Sequence, residues 1–165
     1  MRIKKITVLG LLTAIALTIF MIESALPALA PIPGIKLGLA NIVTLFILLR
    51  FKVKDAALVL LVRIILASVF GGQMVSFIYS VCGGSLCLLA MAFINRLLER
   101  KFIFLTSVIG AVAHNTGQIL AAYFVLGMRG IFVYAPFLVI SGVVTGLFTG
   151  VVCYYADRYI PHIEV

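Results

Sequence analysis

Acidic side chains are scarce in this chain. Its 165 residues carry five Asp and Glu against thirteen Lys and Arg. The two aspartates, Asp55 and Asp157, both lie near basic stretches, so an Asp-rich magnesium–diphosphate site cannot be assembled from them. Other signatures are missing too. There is no Gly-rich P-loop ending in Lys-Ser/Thr, which excludes ATP hydrolysis by that route. There is no HExxH, and no GxSxG followed by an acid and a histidine. Three cysteines, Cys82, Cys87 and Cys153, sit inside apolar runs without CxxC or Cys/His spacing; they read as small core side chains. No metal and no cofactor is expected. No internal repeat is strong enough to argue an inverted-repeat transporter.

What the chain does have is apolar length. It is 64% hydrophobic and 11% charged. Long apolar runs with charges confined to the gaps mean an all-α membrane protein embedded in a lipid bilayer. The net charge of +8 does not point to nucleic acid, because the basic residues lie between apolar runs and form no polar face. At the N-terminus, MRIKK, an apolar run and Ala28-Leu29-Ala30 resemble a cleavable signal. Pro31 after the cut, Glu23 before it and a run long enough to span favour a retained first helix.

The spacing predicts six transmembrane helices in one integral membrane domain, over about residues 5–25, 34–51, 55–70, 74–98, 102–127 and 131–156. Pro33 or Gly34 starts the second, with Lys36 in its first turn. Asn41 lies more than a turn deeper. Asp55 is the expected N-cap of the third, and Gly71-Gly72-Gln73 ends it. Gly83-Gly84 is expected to break the fourth, and Pro136 falls in the early turns of the sixth. Six spans put both termini on one side. Ten Lys and Arg (Arg2, Lys4, Lys5, Arg50, Lys52, Lys54, Arg96, Arg100, Lys101, Arg158) flank that side. Only Lys36 and Arg129 flank the other, and Arg63 is mid-span. The positive-inside rule then places both termini in the cytoplasm.

The stretch over residues 23–41, ESALPALAPIPGIKLGLAN, interrupts this apolar chain with Pro27, Pro31 and Pro33. Proline removes donors and biases the preceding residue to extended geometry, so no single helix runs through it. Irregular backbone near a span is tolerated where it lines a cavity, is covered by protein or meets water. The stretch is therefore either the lip of a binding site or an ordinary loop. Arg63 in mid-span is costly, by roughly 2.5–3.5 kcal/mol on insertion scales, and calls for a partner. That partner is either Glu23 or an anionic ligand. His114 and Gln118 share a helix face, with Asn115 beside them; they either bridge helices or bind a ligand. Ser76 and Ser80 form a weaker polar face. Gly10, Ala14 and Thr18 make a small-residue stripe on helix 1 that admits a close neighbour, inside the protein or from another subunit.

Three blocks resemble one family: ESALPALAPIPGIKLGLAN, then VRIILASVFGGQ with SFIYSVCGGSLCLLAM, then IGAVAHNTGQILAAYF. They are similar to the Gx transporter family, often labelled heptaprenyl diphosphate synthase component I, over about residues 12–150. That family is similar in size and helix count to the substrate-binding S components of energy-coupling factor (ECF) transporters. The resemblance implies a six-helix subunit that binds a nutrient near the outer face and joins a coupling subunit and two ATPases. It implies that Gly10, Ala14 and Thr18 dock the coupling subunit. The residues Glu23, Lys36, Asn41, Arg63, His114, Asn115 and Gln118 are read, from depth and polarity, as the lining of a small-molecule site.

Two functions follow. The first is a substrate-binding transport subunit of a bacterial plasma membrane, importing a small anionic nutrient or isoprenoid-like molecule. Lys36, Arg63 and Arg129 would favour the anionic group. The second is a non-catalytic membrane component of a prenyl diphosphate synthase, with a cytoplasmic working face. The chain supplies no carboxylates to hold magnesium against diphosphate, so on either reading it is not itself an enzyme. A purely structural membrane subunit is a third possibility.

Overall fold

A computed structural model describes residues 2–25, 35–71, 74–98, 102–127 and 129–161. Pro27, Pro31, Pro33, Gly34, the Ala28-Leu29-Ala30 site, Gly72, Gln73, Arg100 and Lys101 lie outside the described residues, as does the side chain of Arg129. The described residues form six α-helices and one 3-10 turn, with no strand: α1 Arg2–Ala25, α2 Asn41–Arg50, α3 Val53–Gly71, α4 Met74–Leu97, α5 Ile103–Leu126 and α6 Ala135–Tyr159, the last preceded by the 3-10 turn Arg129–Tyr134. Four of these segments are long and apolar enough to cross a membrane: those in α1, α4 and α5, and the stretch Gly130–Tyr159 containing α6. The surface they present is apolar, with Leu89, Phe93, Phe124, Ile140 and Val144 all exposed. Such a surface suits lipid and not water, and the chain is a helical membrane protein.

The second helix departs most from expectation. It starts at Asn41, not near residue 34, so Lys36 precedes it and Asn41 is its first residue. Ten residues at 1.5 Å each reach about 15 Å, half of a bilayer core of about 30 Å. The helix is apolar on every side, and every residue from Val43 to Leu49 is buried. It packs against α1, α3, α4 and α6, which is where an all-round apolar helix belongs. Leu45, Ile47, Cys87, Met91 and Cys153 meet there in the main core.

Two other boundaries differ in an instructive way. Asp55 is not the N-cap of α3 but its third residue. Its carboxylate reaches back to accept the Lys52 N–H at 3.1 Å and the Lys5 ammonium at 2.7 Å, half of a capping box. Helix α4 runs unbroken through Gly83-Gly84. These glycines serve packing: a Cβ on Gly117 of α5 would lie 2.7 Å from the Cys82 carbonyl and 2.8 Å from Gly83 Cα. Backbone meets backbone there, and no rotamer change can relieve an added side chain. Gly117→Val is expected to destabilise the protein by about 1–3 kcal/mol, read as a lowered midpoint of thermal unfolding in detergent. An unchanged midpoint would mean that α4 and α5 do not cross this closely.

The ends of the bundle are distinct. Lys5–Asp55 joins the start of α1 to the start of α3. Arg50 at the end of α2 pairs with Asp157 near the end of α6 and donates to the carbonyls of Asp157 and Ile160. Asn95, late in α4, donates to the Leu48 carbonyl. The basic residues described at these helix ends, Lys5, Arg50 and Arg96, therefore share one rim. Glu23 and the turn entering α2 lie at the other.

Candidate functional site

The inward face of α1 carries Leu9, Ala16, Phe20 and Glu23, all buried and spaced as one helical face requires. Gly10, Ala14 and Thr18 lie on the exposed face. A Cβ on Gly10 would meet nothing within 4 Å, and Thr18 only bonds the Ala14 carbonyl of its own helix. Among the described residues this stripe packs against no other helix and is presented outward.

Glu23 organises the segment before α2. Its Oε1 accepts the Gly38 N–H at 2.6 Å and its Oε2 the Leu39 N–H at 3.1 Å. Gly38 has φ of 79°, a left-handed conformation that strains any side chain. Its carbonyl accepts the Asn41 N–H at 3.0 Å and launches the helix. A carboxylate at two N–H groups beside a helix start is favoured by both hydrogen bonding and the helix dipole. Glu23 is therefore spent on backbone, and no ion pair joins it to Arg63: the ion pairs among the described residues are Lys5–Asp55 and Arg50–Asp157.

Around this clamp the polar side chains gather. Lys36 places its Nζ 3.5 Å from the Phe20 ring centroid and 2.5 Å from Ser24 Oγ. Its backbone N–H reaches toward Gln118 Oε1 at 3.4 Å. Arg63, 3% exposed, has its Cζ 5.8 Å from the same Phe20 ring. The His114 imidazole is wedged between the turn and α4: a Cβ on Gly38 would lie 2.7 Å from its Cδ2, and one on Gly83 3.0 Å from its Cε1. The Gly38 position is also 2.8 Å from Asn41 Nδ2. One cluster thus unites Glu23, Lys36, Asn41, Arg63, His114 and Gln118. Asn115 is turned elsewhere, toward α6, donating to the Leu138 carbonyl at 2.7 Å.

Several buried atoms here have no hydrogen-bond partner: Asn41 Oδ1, Arg63 Nε and Nη2, and His114 Nδ1. On α4, Ser76 Oγ and Tyr79 Oη share that condition. Buried polar groups are ordinarily paired, and each exception costs about 1–3 kcal/mol. Several in one place mark a binding site more readily than a folding element. Phe20 and Tyr79 escaped the sequence reading, as did the role of Gly38 within the stretch over residues 23–41. Phe20 could have been found, since it is three residues before Glu23 on the same face. An apolar groove of about 390 Å³ between α4 and α5 offers no comparable chemistry, being lined by Leu86, Val108, Ile109, Val112, Ala113 and Thr116.

Lys36 lies outside the helices. Burial pushes its ammonium down to about 8, with the Glu23 carboxylate opposing. It is charged below that pH and loses its charge above it. Affinity for an anion at this site is expected to fall as pH rises through about 8, and Lys36→Met should flatten that profile. A pH dependence that survives in Lys36→Met would assign it to another group.

The family model described as heptaprenyl diphosphate synthase component I matches residues 12–156, which bears out the resemblance read from the three sequence blocks. No curated protein and no solved structure matches the chain.

Proposed function

This chain belongs to the heptaprenyl diphosphate synthase component I family, and from that premise we propose that it is a substrate-binding membrane subunit of an importer. Its cargo is a small anionic nutrient or isoprenoid-like molecule. The observation that carries the reading is the set of unpartnered buried atoms on Asn41, Arg63 and His114. They lie in the half of the bundle nearer Glu23, away from the basic rim. With the start of α1 and the end of α6 both at the basic rim, and that rim cytoplasmic, as its charge favours, that half opens outward. A ligand would enter beneath the turn that Glu23 holds. The chain carries no Gly-rich P-loop, and on this reading energy would come from a partner. The outward stripe Gly10, Ala14 and Thr18 is where a coupling subunit with two ATPases, as in ECF transporters, would pack.

The family's description favours a second reading, a non-catalytic membrane component of a prenyl diphosphate synthase. Its working surface would be the basic rim. A mild-detergent pull-down of tagged protein from native membranes separates the two. Recovery of a membrane coupling subunit with ATPases supports the importer. Recovery of a soluble prenyl diphosphate synthase subunit in its place would overturn it.

A further inference from the structure

Nε and Nη2 of Arg63 are the two nitrogens whose N–H bonds leave one edge of the guanidinium side by side. Both are buried and both lack a partner. That edge is the fork that an oxyanion with two oxygens on one atom fills bidentately. The charges around it limit which oxyanion. Arg63 and Lys36 contribute +2 and Glu23 −1, with His114 counted neutral, a local net charge of +1. A single negative charge balances this. A diphosphate would leave a surplus of negative charge in a buried site, where an uncompensated charge costs several kcal/mol. Asp55 and Asp157, which could share such a load through a cation, sit at the opposite rim on Lys5 and Arg50. Two further orphans of the cluster complement it: Asn41 Oδ1 is an acceptor, and His114 Nδ1 is one in the tautomer that carries its proton on Nε2. An isoprenoid chain has no donor to offer them.

We propose that the Arg63 edge seats one carboxylate, and that the cargo is a small monocarboxylic acid with an N–H or O–H donor directed at Asn41 Oδ1 and His114 Nδ1. This rests on the binding-subunit reading and narrows it, away from prenyl diphosphates. The carboxylate closes the unmade bonds of Arg63, and the donor distinguishes the cargo from a bare fatty or isoprenoid acid.

The test is thermal unfolding of the full-length protein in detergent with sodium acetate, glycolate, 4-hydroxybenzoate, phosphate and geranyl diphosphate, against sodium chloride at matched ionic strength. Binding to the folded state raises the midpoint. The carboxylates are expected to raise it by several degrees, glycolate more than acetate; with the pH held above the second pKa of phosphate, so that it is mainly a dianion, phosphate and geranyl diphosphate should raise it no more than chloride. Arg63→Gln should abolish the carboxylate response. Arg63→Lys, a point charge without a fork, should lose most of it. Asn41→Ala, which leaves Arg63 in place, should erase the advantage of glycolate over acetate. An equal carboxylate response in Arg63→Gln would overturn the proposal. Protection by geranyl diphosphate and by no carboxylate would overturn it while leaving a ligand-binding subunit standing. If no anion exceeds chloride, the carboxylate seat falls, and the importer reading is then judged by the partners recovered from native membranes.

Discussion

Replacing Arg63 by Met is expected to make the ligand-free protein more stable while removing its response to anions. The guanidinium is buried with two nitrogens unpaired, and its compensation is a ring contact with Phe20 at 5.8 Å, worth about 0.5–2 kcal/mol, together with the through-space attraction of the Glu23 carboxylate. Exchanging a buried charged group for an apolar one of similar length is often stabilising, here by about 1–3 kcal/mol. At roughly 2–4 °C per kcal/mol for a chain of this size, the unfolding midpoint should rise by several degrees. The opposite result is equally informative. If Arg63 were the hub of a structural bridge, the same change would cost about 3–5 kcal/mol, and the midpoint would fall. A gain in stability with a loss of binding is the trade-off expected of a residue retained for a ligand.

Removing the Glu23 carboxylate should have the reverse signature, a loss of both stability and binding. Glu23→Ala leaves the N–H groups of Gly38 and Leu39 without the acceptors they have at 2.6 and 3.1 Å. Each unmade bond costs about 1–3 kcal/mol, so losing both costs about 2–6 kcal/mol. Glu23→Gln keeps one acceptor oxygen and should fall between the two. Hydrogen exchange at the Gly38 and Leu39 amides reads the clamp directly. Both should exchange faster in Glu23→Ala, with the amides of α5 unaffected. Protection unchanged at Gly38 and Leu39 would show that the turn is held by its own backbone bonds and that Glu23 serves elsewhere.

The two variants separate roles that the sequence could not. Glu23 and Arg63 are the obvious ion pair in a chain with so few carboxylates, and pairing them was one of two readings the pattern left open. Glu23 instead takes two backbone amides, because the turn at Gly38 brings adjacent N–H groups to its carboxylate. No periodicity predicts that turn, since the segment before α2 has neither helical nor strand spacing. The same holds for Asn115. It is adjacent to His114 in sequence, yet a helix turns about 100° per residue. One side chain therefore reaches the cluster and the other bonds α6.

Hydropathy and charge placement determined the membrane class, the helical elements and the list of polar residues that lie in apolar surroundings, and three sequence blocks carried the family resemblance. These are properties of single segments, and a segment carries them wherever it packs. Tertiary structure alone decided that α2 is a short buried helix, that the Gly10–Ala14–Thr18 face points outward, that Gly83 and Gly117 mark a crossing and not a break, and that Arg63 is left with an empty fork. Each of these depends on which faces meet and which donors find acceptors, and that is settled only when all the helices are in place.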